Sequence, residues 1–585
     1  MNQAAVYHRP ESEYAFLYTP ETMRIRLRTA RNDIKKVELI SGDPYLLTKE
    51  KWYLNRQPMK KITATLDHDY WQIEVSADYR RLAYGFYLTD QEGREAFYCD
   101  QGLLEDQQMD VTQDNIYFRM PYFHEIDRFK VPDWVHKTVW YQIFPERFSN
   151  GDSTNDPEDC LPWESKLPDR EDFFGGDLQG IIDRLDYLEE LGINGLYLCP
   201  IFSAPSNHKY DTVDYYEVDP HFGDKRVFKE LVQKAHERGI KVMLDAVFNH
   251  LGKDSRQWRD VLKNGQDSKY ADWFHIHSFP ATYQPIPDSE FGDAITYETF
   301  SFVPTMPKLN TANREVQEYL LDVAAYWIRE FDIDGWRLDV ANEVDHHFWK
   351  KFHETVLEEK SELYILGEIW HSSQRWLQGD EFHAVMNYAF TESLKDFYLD
   401  QSMDAKEMID RMNRQQMLYC DQANEVSFNL LDSHDTPRMM TLCNNDQQLL
   451  KSAFAFMFLQ KGTPCLYYGT EVGLAGGPDP DCRRCMPWEK QDEALKEFFK
   501  KLIALRKRYA SLLTFSEDDW VVLEERVMIF QRTYQGVTLR CTFNGSDESL
   551  RVAQTGVELL GAGVERDQQL SVGPSGFLIE QVAEN

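Results

Sequence analysis

From about residue 138 to 506 the chain alternates short apolar runs with helical stretches, and this alternation restricts its fold more than any other feature. The runs are VWYQIFPERF, NGLYLCP, KVMLDAVFNH, DIDGWRLDV, YILGEIW, HAVMNYAF, VSFNLLDSHD and TPCLYYGTE. Strands separated by helices build a parallel sheet covered on its faces. Eight such units close into a (β/α)8 TIM barrel. Three of the runs lead into an acid: Asp339 in IDGWRLDVANEV, Glu368 in YILGEIW and Asp435 in FNLLDSHDTPR. An unpaired charge beside a buried strand is costly, but in this barrel the strand ends form the rim where catalytic groups converge. Two close carboxylates can serve as nucleophile and acid/base at a glycosidic bond. A third can hold substrate hydroxyls and adjust the other two. A carbohydrate-active enzyme is the expectation.

The helical stretches support the barrel. Between Asn313 and Phe331 the residues Val316, Tyr319, Leu320, Val323, Trp327 and Ile328 recur at 3/4 spacing, and Asn313 suits an N-cap. Eight units in this length exceed an ordinary barrel, which implies an insertion. Residues 251–305, rich in aromatics and proline after the third strand, are its expected place, overhanging the rim as an inserted loop domain. Residues 1–122 read as β: Met23, Ile25 and Leu27 alternate with Arg24, Arg26 and Arg28. A β-sandwich suits that segment, with FKVPDWVHK as a linker into the 123–506 catalytic region. Residues 507–585 return to short strands with turns such as Asn544-Gly545, predicting a C-terminal β-sandwich.

Composition excludes several partners. The formal net charge is −34, and nucleic acids or anionic membranes would need basic patches. No apolar run approaches the ~18 residues of a membrane helix, and MNQAAVYHRPESEYAF lacks the charged and apolar regions of a signal peptide. Nine cysteines, an odd number widely scattered, do not form a disulfide framework. The Cys482/Cys485 pair has no second pair or histidine to complete a zinc site. A cytoplasmic location is expected.

DAVFNH (245–250), GWRLDVANE (335–343), GEIW (367–370) and LLDSHD (430–435) resemble, in order, the four barrel-strand motifs of the α-amylase family. MPKLN (306–310) resembles a fifth motif of the neopullulanase, cyclomaltodextrinase and maltogenic amylase branch. The N-terminal β segment, HKYDT (208–212) and DPDCRR (479–484) are similar to that branch too. One departure is Cys485, where the family pattern leads to proline.

The resemblance implies a retaining hydrolase cutting α-1,4 bonds of cyclodextrins and maltooligosaccharides, with some action on pullulan or α-1,6 bonds and some transglycosylation. Asp339 would be the nucleophile, Glu368 the acid/base, and Asp435 a ligand for the 2- and 3-hydroxyls of the distorted sugar. Arg337, two residues before Asp339, would point to the same side and keep that carboxylate ionised. His250 and His434 resemble histidines that bind sugar hydroxyls, Tyr210 a stacking platform, and His208 belongs to the same motif. Asp479 and Arg483 resemble the residues on the non-reducing side. Phe300 and Trp370 would be acceptor-side or rim aromatics, and Asn342 and Glu343 an acceptor-side pair. Asn249 fits a framework role.

SNGDSTND (149–156) and FGGDL (174–178) bring hard oxygen donors together. Asn150, Asp152, Asn155, Asp156, the Gly175 carbonyl and Asp177 resemble the family's calcium site, within the six to eight oxygens that Ca²⁺ takes. In this branch the N-terminal domain resembles a starch-binding module that covers a partner's active site, which implies a homodimer. A transferase-dominant relative (an isomerase or glucanotransferase) and a non-catalytic sugar-binding barrel are the alternatives; the first lacks the support of MPKLN, the second that of the three intact acids.

Overall fold

The computed structural model describes residues 1–46, 56–105, 114–566 and 569–582. Its centre is an eight-stranded parallel sheet made of β1 (Trp140–Ile143), β2 (Gly195–Leu198), β3 (Lys241–Ala246), β4 (Gly335–Leu338), β5 (Tyr364–Gly367), β6 (Ala384–Val385), β7 (Phe428–Asn429) and β8 (Thr463–Tyr467). Pairing runs from β6 through β5, β4, β3, β2, β1 and β8 to β7. A parallel bridge from Met386 to Phe428 closes the ring. Nearly every strand residue is buried, as in a filled barrel rather than a pore.

All eight expected strands form, but each is shorter than its apolar run, and β6 and β7 are only two residues long. β1 stops at Ile143 because Pro145 starts a helical turn through Phe148, a position proline tolerates because it lacks an N–H. In HAVMNYAF only Ala384–Val385 is strand, and a helix begins at Tyr388. The helix Arg314–Phe331 forms as read, with Asn313 Oδ1 accepting from the Glu315 and Val316 N–H groups. The segment 251–305 carries one α-helix, Arg256–Asn264, two short 3-10 turns, Gly265–Asp267 and Ala271–Trp273, and a hairpin of two-residue strands, Gln284–Pro285 with Gly292–Asp293. Bridges Thr299↔Pro307 and His250↔Lys308 tie it back to the barrel.

The N-terminal region is two antiparallel sheets around their own core, in which Met23, Ile25 and Leu27 pack with Leu39 and Phe86. The alternation predicts an outward Arg26, and outward here means toward the barrel: Arg26 is buried in an ion pair with Asp421. The linker is no loose spacer. Residues Asp133–Lys137 form a helical turn that sets Val135 into an interior layer with Trp140, Tyr364 and Phe428.

At the C-terminal end, the helix Glu493–Arg508 crosses the expected boundary at 507, and the strands begin at Asp519. Six strands pair continuously into one sheet between Asp519 and Val582. Barrel helices complete its apolar layer: Phe456 meets Phe530 and Phe543, and Phe498 meets Phe577. All nine cysteines are unbridged, and eight are buried.

Candidate active site

β4 and β5 deliver their acids the same way, each strand ending one residue before the carboxylate. Asp339 and Glu368 therefore emerge side by side on neighbouring strands. Arg337, fully buried within β4, forks between them. Its Nη1 donates to Asp339 Oδ1 at 2.8 Å, and its Nη2 pairs with Glu368 Oε2 at 2.9 Å. The same Nη1 contacts both oxygens of Asp245 at 3.0 Å. The parallel register sets Asp245 opposite Arg337 on the neighbouring strand, within reach of that contact.

One guanidinium thus serves three buried carboxylates. Burial pushes the Asp339 carboxyl well above the usual range, and Arg337 opposes it without prevailing. Arg337 favours the ionised form of Asp339, as expected, but its charge is divided among three carboxylates and burial opposes it. Asp245 is pushed up to about 6 by burial, again against Arg337. Such a cluster titrates as a unit.

Asp435 sits beyond β7 on the opposite wall. Its Oδ2 lies 3.2 Å from His434 Nε2, and its Oδ1 lies 3.4 Å from Arg483 Nη2. His434 is fixed by neighbours on both ring nitrogens. Gln142 Nε2 donates to Nδ1 at 2.7 Å, which leaves Nε2–H facing the Tyr210 hydroxyl at 2.6 Å. That hydroxyl donates in turn to Asp245 Oδ2 at 3.0 Å. Burial holds His434 well below the ordinary histidine range, so it is a neutral donor. His250 is lowered to about 3 for the same reason. Its Nε2 donates to the Tyr210 carbonyl at 3.0 Å, so one nitrogen is already committed.

These groups open onto a cavity of about 1060 Å³. Asp339, Glu368 and Asp435 line it together, with His208, Tyr210 and His250 on one side. Asn342 and Phe300 line it further out, Phe300 lying 5.4 Å from the His250 ring. Trp370 stacks on Tyr388 at 3.6 Å and donates its indole N–H to Glu368 Oε1 at 3.0 Å. Asp479 and Arg483 pair at 3.0 Å on the wall beside Asp435. Arg337 and His434 lie beneath this surface. Glu343 stands apart from the lining, held by Lys308 at 2.9 Å. Lys308 also donates to Asn249 Oδ1.

Several participants escaped the sequence reading. Asp245 stood within a quoted motif yet received no role, although its strand pairing with Arg337 was a usable signal. Gln142 and Tyr197, which donates to Asp245 at 2.7 Å, are ordinary polar residues inside apolar strands. Arg170 and Glu290 line the cavity and pair at 2.7 Å, joining the 151–177 loop to the inserted hairpin.

Residues 142–509 match the family model described as "Alpha amylase, catalytic domain", and residues 1–124 match "Alpha amylase, N-terminal ig-like domain". The chain belongs to the α-amylase family. This glycoside hydrolase is 54% identical over 548 residues to an intracellular maltogenic amylase of Bacillus subtilis (strain 168), covering 93% of this chain and 91% of the relative. It is 49% identical over 556 residues to a cyclomaltodextrinase of Geobacillus thermopakistaniensis, covering 94% and 92%. Among solved structures, a cyclomaltodextrinase superposes with a TM-score of 0.90 at 43% identity, over 100% of both chains.

The enzyme's oxygen-rich loop is also drawn together. Asp177 caps the helix Leu178–Asp183 and accepts from the Gly151, Asp152 and Gly180 N–H groups and from Asn155 Nδ2. It is fully buried, and among the described residues no Lys or Arg pairs with it. Asn150 Nδ2 donates to Asp156 Oδ1 at 2.8 Å, and both crowd Gly175, which adopts φ +83°. Asp152 Oδ1 accepts from Thr154. Asn155 Oδ1 is buried without a partner. No group of three or more His, Cys, Asp or Glu side chains poised for a metal occurs among the described residues. A cation here would thus need amide and carbonyl oxygens beside the carboxylates.

Proposed function

We propose that the enzyme hydrolyses α-1,4-glucosidic bonds of cyclodextrins and maltooligosaccharides with retention, acting to a lesser degree on pullulan and by transglycosylation. The observation that carries this reading is the Arg337 fork, which brings the Asp339 and Glu368 carboxyls together over one cavity floor. Retaining chemistry needs such closeness, about 5–5.5 Å. Asp339 attacks the anomeric carbon as Glu368 protonates the departing oxygen. Glu368 then takes a proton from the water that releases the sugar from Asp339. A buried cluster with more carboxylates than cations retains the proton this sequence needs. Asp435, His434 and His250 surround the position where the reacting sugar's hydroxyls would lie, and Asp479 with Arg483 extend the donor side.

The names of the relatives support this substrate class. The test is initial rates on β-cyclodextrin, pullulan and soluble starch side by side, with Asp339→Asn protein as the blank. Cyclodextrin well ahead of starch supports the reading; starch ahead overturns the preference for small and cyclic substrates.

We further propose a structural calcium ion held by Asn150, Asp152, Asn155, Asp156, the Gly175 carbonyl and Asp177. The buried, cation-free Asp177 and the unpartnered Asn155 Oδ1 support it. Bound there, the ion would neutralise Asp177 and fix the loop, away from the bond being cut. Chelation should lower the melting temperature, and an unchanged melt removes the site. A homodimer through the N-terminal domain is proposed as well. It is supported by exposed apolar residues on the inserted segment, such as Phe291 and Phe302, near the cavity mouth. Sedimentation across a dilution series tests it. A cytoplasmic location is supported by the B. subtilis relative's printed name and by the unbridged thiols. No helix of the described residues is long and apolar enough to cross a membrane.

A further inference from the structure

Val340, directly after Asp339, lies at φ +44°, ψ +42°. A β-branched residue is a true outlier in that left-handed region. Such conformations persist only where the surroundings over-determine them, and they cluster at functional sites. Here they are over-determined. Asp339 N donates to Ala246 O at 3.0 Å, Ala341 N to Glu368 O at 3.2 Å, and Glu343 N to Val340 O at 3.0 Å. Trp349 Nε1 holds Ala341 O at 2.8 Å.

The turn delivers one backbone donor. Val340 N–H reaches Glu368 Oε2 at 3.0 Å, the same oxygen that Arg337 Nη2 approaches at 2.9 Å. Glu368 Oε1 instead meets the indole N–H of Trp370 at 3.0 Å, a side chain 47% exposed at the cavity rim. The two oxygens are therefore unlike. Oε2 lies between a fixed peptide donor and a permanent cation, where an added proton would face two positive partners. Oε1 has a single donor, on a side chain that lines the cavity.

We propose that the left-handed Val340 turn is a positioning device that fixes Oε2 of Glu368 as the acceptor oxygen and leaves Oε1 to carry the proton to the leaving group. The inference rests on Glu368 as acid/base. Val340 lines the cavity, but the role argued here is that of its N–H on Glu368.

The test compares Val340→Gly, Val340→Asn and Glu368→Gln. Glycine frees the backbone, whereas asparagine tolerates the left-handed region. The readout is kcat/KM, which reports the first bond-breaking step, on a maltooligosaccharide and on an aryl maltoside with a strongly acidic phenol. The phenol needs no protonation to leave, so general-acid help matters only for the sugar. Val340→Gly should lose about tenfold on the maltooligosaccharide and stay within about twofold of wild type on the aryl maltoside. Its melting temperature should not fall, since glycine relieves the strain. Val340→Asn should restore the maltooligosaccharide rate. Equal losses on both substrates, no loss on either, or the same split in Val340→Asn would each overturn the proposal. Should Glu368→Gln itself show no split, the acid/base reading fails instead.

Discussion

Asp339→Asn changes almost no volume and removes the nucleophilic oxygen's charge, so turnover should fall below about one-thousandth of wild type while the melting curve is kept. Residual activity above that level, in protein shown free of wild-type contamination, would remove Asp339 from its role. The acids themselves were readable because a charge after an apolar run stands out. Their surroundings were not. Asp245 joins the cluster through strand register, and the direction of the Asp339 shift depends on burial, which no local spacing encodes. Nor does ANEV show that Glu343 is held by Lys308, which is distant in sequence.

Elements show a similar division between what patterning carries and what it leaves open. Apolar runs marked all eight strands, but they could not mark where β6 yields to helix, since Tyr388 and Phe390 suit either period. That shortness has a mechanical effect. Between β6 and β7 the barrel is joined by a bridge at Met386 and by side chains: Asn387 Nδ2 donates to Asn429 Oδ1 at 2.8 Å, and Gln415 Nε2 donates to Asn387 Oδ1 at 2.5 Å. Replacing Asn387 with leucine strands both partners, at a cost of about 2 kcal/mol. Denaturant unfolding should register that loss. Amide exchange in Asn387→Leu should quicken at β6 and β7 before β3 and β4, because weakened closure opens locally first.

For the whole molecule, the contact between the N-terminal region and the barrel is charged and buried. Arg24 and Arg26 pair with Asp421, and Tyr18 donates to Glu425 Oε1 at 2.8 Å. Burial, followed by the neighbouring Asp421 charge, pushes the Glu425 carboxyl up to about 7. The folded state thus prefers the protonated form. Its contribution to stability is full below about 4.5 and is lost as the pH rises toward 7. Glu425→Gln keeps an acceptor for Tyr18 without the charge, so its melting temperature should decline less than that of wild type between pH 5 and 7. Parallel profiles would show that Glu425 does not set this dependence. The domain order was legible from the change of periodicity along the chain; the seam was not, because alternation sets Arg26 on one face without saying what that face meets.

The buried cysteines give this architecture a set of internal clocks. Cys99 lies in a second buried cluster of the N-terminal region, Cys465 in β8 and Cys541 in the C-terminal sheet, each at most 1% exposed and with its thiol raised by burial. None reacts until its own neighbourhood opens. A pulse of alkylating reagent during unfolding, read peptide by peptide, would time the release of each region in the unmodified chain.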